Sequence, residues 1–189
     1  MPIDNHSFNK LLTPEQEQDV LLARHLRDCI KLSEDMPPES VVVENINLFA
    51  ALEKCGVKAD YVICEVSVCP KGGMFNYSSE LNFIQVHGQL VSFTEARDKE
   101  DATLIVMNSL MENIQKQVEI EKQQGKKITR PDFTLENLPW EIEYQYANKA
   151  EDIDCFDTFH DANEVARLHA LALAYKTAQV SASHPRRSL

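Results

Sequence analysis

Residues 62–69 read Val-Ile-Cys-Glu-Val-Ser-Val-Cys, and this alternation decides the fold class of the chain. Every second position holds a small apolar side chain: Val62, Cys64, Val66 and Val68. A two-residue period is typical of a β-strand, because successive side chains of a strand point to opposite faces. Pro70 and the pair Gly72-Gly73 break the pattern, so we expect the strand to end there.

Two further strands are expected after this one. Residues 81–86 and 90–93 are mostly apolar, and His87-Gly88 between them is typical of a tight turn. A loop through residues 74–79 is expected to precede them. The sequence therefore predicts an antiparallel unit of three strands.

A fourth strand is predicted at residues 140–146, which read Trp-Glu-Ile-Glu-Tyr-Gln-Tyr and alternate without a break. One set of alternating positions is apolar and is expected to face inward: Trp140, Ile142, Tyr144 and Tyr146. The other set is expected in water: Glu141, Glu143 and Gln145.

Four segments carry apolar residues at helical spacing: residues 14–34, 40–55, 96–123 and 158–181. The first begins with a capping box in which Thr13 caps the helix and Gln16 closes the box, and Met36-Pro37-Pro38 ends it. For the second segment, the run Val41-Val42-Val43 leaves a strand open as the alternative.

These elements predict an α+β protein, a mostly antiparallel sheet of about four strands covered by helices, in the order α-α-β-β-β-α-β-α. We expect one domain over residues 1–189, with an N-terminal arm at 1–12 and a mobile basic tail at 183–189. The helices are expected on one face of the sheet. The other face or the edge strands then need shielding, which pairing with another chain would provide.

The chain is acidic, with 19 basic and 30 acidic residues and a net charge of −11. Residues 132–164 alone hold ten acids and one base. This balance argues against nucleic-acid binding, which needs clustered Lys or Arg, and no apolar run is long enough to span a membrane. The first residues lack the pattern of a signal peptide, so we expect a cytoplasmic protein whose five cysteines are free thiols.

One acidic cluster suggests chemistry. Asp157, His160, Asp161 and Glu164 would share one face of a C-terminal helix and could hold a divalent cation. The alternative is structural, because Asp154 or Asp157 would cap a helix whose first turn favours acids. A ligand set normally needs partners from elsewhere in the fold, so we expect neither a metal nor another cofactor.

The function expected from the sequence is non-enzymatic binding of another protein with a basic or amphipathic surface. The expected partner-binding residues are Asp152, Asp154 and Asp157 for charge, with Phe75 and Tyr77 as aromatic anchors. The order of elements resembles that of small acidic secretion chaperones and adaptors, which implies an adaptor, chaperone or accessory subunit. The alternatives are a small metal-dependent hydrolase and an acidic inhibitor that mimics nucleic acid.

Overall fold

A computed structural model describes residues 11–30, 38–68, 77–91, 93, 96, 98–125, 140–154 and 156–183. Its helices are α1 (Pro14–Asp28), α2 (Pro38–Lys54), α3 (Lys99–Gln123), α4 (Phe156–Phe159) and α5 (Ala162–Ser183), with a 3-10 turn at Ala150–Asp152. Its strands are β1 (Ala59–Val68), β2 (Tyr77–Val86), β3 (Gln89–Val91) and β4 (Trp140–Ala147). Most of the predicted arm, the tail from residue 184 and Phe75 lie outside the described residues.

The four strands form one antiparallel sheet in the order β3-β2-β1-β4. The predicted α+β class and order of elements are confirmed, with the last helix divided into α4 and α5. His87 and Gly88 both have positive φ, 50° and 80°, and connect β2 to β3 as the predicted tight turn. The predicted end of the loop at 74–79 is wrong, because β2 begins at Tyr77. Pairing with β1 extends β2 back to Tyr77, which is the register partner of Val68.

Helices cover both faces of the sheet, which corrects the expectation of a single covered face. On one face, the apolar side of β1 packs beneath α3, and the α3 residues at four-residue spacing are buried: Ala102, Val106, Leu110 and Ile114. On the other face, α1, α2 and α5 pack over the part of the sheet near Tyr61, Ile84 and Val91. Both faces therefore bury apolar side chains, and the sheet lies between two cores.

The predicted capping box of α1 is present, since Thr13 and Gln16 each accept from the other's backbone N–H, at 3.2 and 3.0 Å. α1 ends at Asp28, six residues before the predicted end. The physical reason lies in the tighter closing turn, in which the N–H of Ile30 donates to the carbonyl of Arg27 and the Ile30 side chain is buried in the core.

β4 is an edge strand, and its predicted pattern is half right. All four predicted inward positions share the α3 face, because they lie opposite the buried residues of β1. Trp140 and Tyr144 are half-buried there, but Ile142 is 47% exposed and Tyr146 is 51% exposed. The strand lies at the rim of the area that α3 covers, so only part of its apolar face is buried.

Candidate partner-binding surface

Glu65 lies at the centre of a row of carboxylates that crosses three strands. It is the register partner of Glu80 on β2 and of Glu143 on β4. Opposite residues of an antiparallel pair share a face, with Cβ atoms about 5 Å apart. Glu141 lies two residues from Glu143 on the same strand, about 7 Å along the same face. We call Glu65, Glu80, Glu141 and Glu143 the sheet-face acids.

The sheet-face acids are accessible to a partner. Glu80, Glu141 and Glu143 are exposed and Glu65 is half-buried. Within the described residues, no Lys, Arg or His pairs with any of them. Like charges placed opposite each other on neighbouring strands repel, so a cationic group from a partner would relieve a repulsion that the free protein carries.

The row borders a buried amide pair on the side where α2 covers the sheet. Asn82 follows Glu80 by two residues on the same face, and its carbonyl oxygen accepts a hydrogen bond from Nδ2 of Asn45 on α2 at 3.2 Å. Asn45 is 0% exposed and Asn82 is 8% exposed, yet neither Oδ1 atom has a hydrogen-bond partner. The part of this face that α2 covers thus ends at the Oδ1 atoms of Asn45 and Asn82. The sheet-face acids begin at Glu80, two residues from Asn82.

Asp152 and Asp154, two of the predicted partner-binding residues, lie at the same side of the molecule as the sheet-face acids. Both line a pocket of about 110 Å³ together with Ile63 of β1 and Gln145 of β4. Ile63 and Gln145 are register partners. Ile63 precedes Glu65 by two residues on β1, and Gln145 follows Glu143 by two residues on β4. The pocket therefore continues the acidic surface, and the two exposed aspartates extend it.

The remaining predicted binding residues are placed differently. Asp157 is exposed on α4 and does not line the pocket. Tyr77 is the first residue of β2, half-buried on the α3 face, opposite to the face of the sheet-face acids. The structure thus brings Asp152 and Asp154 to the acidic surface and leaves Asp157 and Tyr77 apart from it.

The four residues of the predicted metal cluster do not share one helical face, which corrects that premise. Asp157 belongs to α4, whereas His160 and Asp161 lie between α4 and α5. Asp161 caps α5, since its Oδ1 accepts from the N–H groups of Asn163 and Glu164, at 2.9 and 3.3 Å. The Asp161 N–H donates to Oδ1 of Asn47 on α2 at 2.9 Å, and this bond fixes the break in the helix.

Glu164 is also engaged, because both of its carboxylate oxygens accept from the guanidinium of Arg167, at 2.9 and 2.6 Å. We call Asp161 and Glu164 the junction acids. Across the described residues, no group of three His, Cys, Asp or Glu side chains is arranged to hold a metal ion. The junction acids therefore act within the fold, as a cap and as an ion-pair partner.

Glu44 on α2 lies near the junction acids and has an unfavourable environment for its charge. Burial raises the pKa of its carboxyl, Glu164 and Asp161 raise it further, and Arg167 lowers it in part. Its Oε2 atom is buried without a hydrogen-bond partner. This carboxylate is thus a cost of packing α2 against α5, which protonation reduces.

On the opposite face, Lys99 attaches the start of α3 to β4. Its ammonium lies 5.2 Å from the ring centroid of Tyr144 and 4.6 Å from that of Tyr146, and it donates to the Tyr146 hydroxyl. The Tyr144 hydroxyl donates to the Lys99 carbonyl at 3.2 Å. Burial is the main cause that raises the pKa of Tyr144, so the phenol stays neutral and serves as a hydrogen-bonding group.

Sequence reasoning missed Glu65 and Glu80 as members of the site. The two-residue period already assigns Glu65 to the side of β1 opposite the apolar residues. Their alignment with Glu143 depends on the pairing register, which becomes visible only in the folded sheet. A scan for acids on the polar side of each predicted strand would have found the residues without their alignment.

Comparisons with protein-family models, with curated proteins and with solved structures found no significant match. Within the described ranges, none of the helices combines the length and the apolar character needed to cross a membrane. The geometry and charge of the surface itself are therefore what support a function.

Proposed function

We propose that this protein is a non-enzymatic binding protein, an adaptor, chaperone or accessory subunit that holds a basic segment of another protein on its acidic surface. The observation that carries the proposal is the row Glu80, Glu65 and Glu143, three carboxylates aligned across neighbouring strands. A row of this kind costs stability in the free protein and gains favourable energy when cations bind.

The pocket beside the row supports the same function. Asp152 and Asp154 add two exposed carboxylates to the four sheet-face acids, and Gln145 adds an amide between them. The surface is wide enough to engage several Lys or Arg side chains of one segment. Because most of these carboxylates are exposed, we expect the affinity to fall as salt is added.

A cytoplasmic location is part of this proposal. Cys29, Cys55 and Cys64 are free thiols. Cys64 is buried on the α3 face. Cys29 and Cys55 are half-buried, and their carbonyl oxygens accept hydrogen bonds from Arg167 and Lys176 of α5. A reducing compartment keeps such thiols unpaired.

The test is a binding measurement with a matched charge control. The site variant carries Glu65→Gln, Glu80→Gln and Glu143→Gln. The control variant carries Glu112→Gln, Glu119→Gln and Glu121→Gln on α3, which packs on the other face of the sheet. Both variants lose the same charge, so general attraction by an acidic protein affects them equally.

The probe is a fluorescein-labelled block peptide, in which a run of lysines precedes an equal run of valines, measured by fluorescence anisotropy at low salt. We expect the site variant to bind at least about tenfold more weakly than the wild type, and the control to bind much as the wild type does. Equal weakening in both variants would refute the proposed site. Circular dichroism spectra and urea unfolding verify that both variants keep the fold.

A further inference from the structure

The edge of β4 that faces away from β1 is long and contains neither proline nor lysine. β4 is eight residues long and pairs with β1 on one side, and no other strand of the described chain pairs with its outer side. The opposite edge strand, β3, has only three residues. Exposed edges are commonly protected by shortness, by proline or by charged side chains, above all lysine; β4 contains neither proline nor lysine, and its charged residues are Glu141 and Glu143.

The two faces of β4 present different chemistry at this edge. Ile142, 47% exposed, and Tyr146, 51% exposed, lie on the α3 face. Glu141, Glu143 and Gln145 lie on the face of the acidic row, and all three are exposed. A partner that contacts both sets has to lie alongside the edge, since one set is above the sheet and the other is below it.

We propose that the outer edge of β4 accepts an extended segment of a partner protein in which Lys or Arg alternate with apolar residues. The segment adds a strand to the sheet, with its backbone paired to β4. Its basic side chains lie beside Glu141 and Glu143, and its apolar side chains lie beside Ile142 and Tyr146. This inference rests on the proposed function and specifies the conformation and sequence pattern of the partner.

The alternation of the partner follows from the two-residue period of a strand. A helix laid on the acidic row would present basic residues at a spacing of three or four, and its apolar side would point away from Ile142 and Tyr146. A strand at the edge places every second side chain on each face, so one segment satisfies both faces at once.

The test compares two labelled eight-residue peptides of identical composition: an alternating lysine-valine peptide and the block peptide. We expect the alternating peptide to bind at least about tenfold more tightly, because only its pattern matches both faces. If both peptides bind equally and depend on the sheet-face acids, the proposed function stands and strand addition is refuted. If neither peptide binds, both proposals fail.

A second measurement addresses the backbone directly. In an added strand, alternate N–H groups point toward β4 and the others point away. Two versions of the alternating peptide carry N-methyl groups on the lysines only or on the valines only. We expect one version to lose binding and the other to retain it; retention by both versions would overturn the strand-addition proposal.

A matched protein variant links this result to β4. Ile142→Thr keeps a β-branched side chain at an exposed position but removes apolar surface, so the fold should persist. We expect the preference for the alternating peptide to shrink while binding of the block peptide stays unchanged. Sedimentation of the free protein tests the remaining occupant: a dimer that Ile142→Thr dissociates would assign the edge to a second copy and overturn the proposal.

Discussion

Asp161 and Glu65 are acidic residues of the same small protein, but the fold uses them in opposite ways. Asp161 accepts two backbone N–H bonds and donates its own N–H to the buried Asn47. Glu65 lies between Glu80 and Glu143, with no cationic side chain of the described residues paired to it. The junction acids are thus engaged by groups of the fold, whereas the sheet-face acids Glu65, Glu80 and Glu143 lie opposite like charges without a cationic partner among the described residues.

This contrast shows that a high density of acids in the sequence does not by itself leave each carboxylate free of contacts within the fold. The junction acids belong to the most acidic part of the sequence, residues 132–164, and they are engaged within the protein. Glu65 and Glu80 lie outside that part, and the pairing of three strands adds them to the surface. Availability therefore follows from what each carboxylate contacts in the fold.

The largest effect is expected from breaking the junction. Asp161→Ala removes the cap of α5 and should lower the free energy of unfolding by about 0.5–2 kcal/mol. The exposed Asp157 is the matched control, and Asp157→Ala should change it by less than about 0.5 kcal/mol. Urea unfolding with EDTA and with added Zn²⁺ or Mn²⁺ measures both variants. A loss that appears only with metal would contradict the structural role and support a metal site at the junction.

A smaller effect, of opposite sign, is expected in the sheet. Glu65→Gln removes the central charge of the row and should raise the free energy of unfolding by about 0.2–1 kcal/mol, because two like-charge contacts disappear. The same variant should bind the block peptide more weakly. Glu112→Gln on α3 is the control and should leave both quantities nearly unchanged. If Glu65→Gln were destabilising, the Glu65 carboxylate would make a stabilising contact that outweighs its repulsion by Glu80 and Glu143.

The smallest effect is expected at Glu44, where burial and two neighbouring acids raise the carboxyl pKa above its ordinary value of 4.5. A raised carboxyl pKa means that the stability contributed by the protonated form is complete below pH 4.5 and is lost as the pH rises through the folded pKa. Glu44→Gln should remove this loss and raise the free energy of unfolding by roughly 0.3 kcal/mol near neutral pH. The gain is small because the site remains partly hydrated.

Urea unfolding of Glu44→Gln and the wild type from pH 4 to pH 8 checks this expectation, with Glu112→Gln as the control for loss of one charge. The stability curves of Glu44→Gln and the wild type should separate as the pH increases. Curves that stay parallel would show that Glu44 titrates as it does in the unfolded chain.

The fold could be predicted from the sequence where the periodicity is strong. The alternation of β1 and the capping box of α1 are local signals, and both elements form. The break between α4 and α5 could not be predicted, because the Asn47 side chain that holds the Asp161 N–H is 114 residues away in sequence. The early end of α1 likewise depends on the burial of Ile30 against other helices.

The candidate surface could be predicted only in part. The exposure of Glu141 and Glu143 follows from the alternation of β4, and the sequence also selected Asp152 and Asp154. The alignment of Glu65 with its neighbours depends on a pairing register that no single segment encodes. The exposure of Ile142 and Tyr146 depends on how far α3 extends across the sheet, which is a property of tertiary packing.

The position of Trp140 has a practical consequence for experiments. It is the single tryptophan of the chain, the first residue of β4, and it is half-buried against the core beneath α3. Indole emission shifts in wavelength with the polarity of its surroundings, so this fluorophore responds to the environment of one known strand. The protein therefore contains an intrinsic optical reporter at the edge, and unlabelled material suffices to follow changes there in real time.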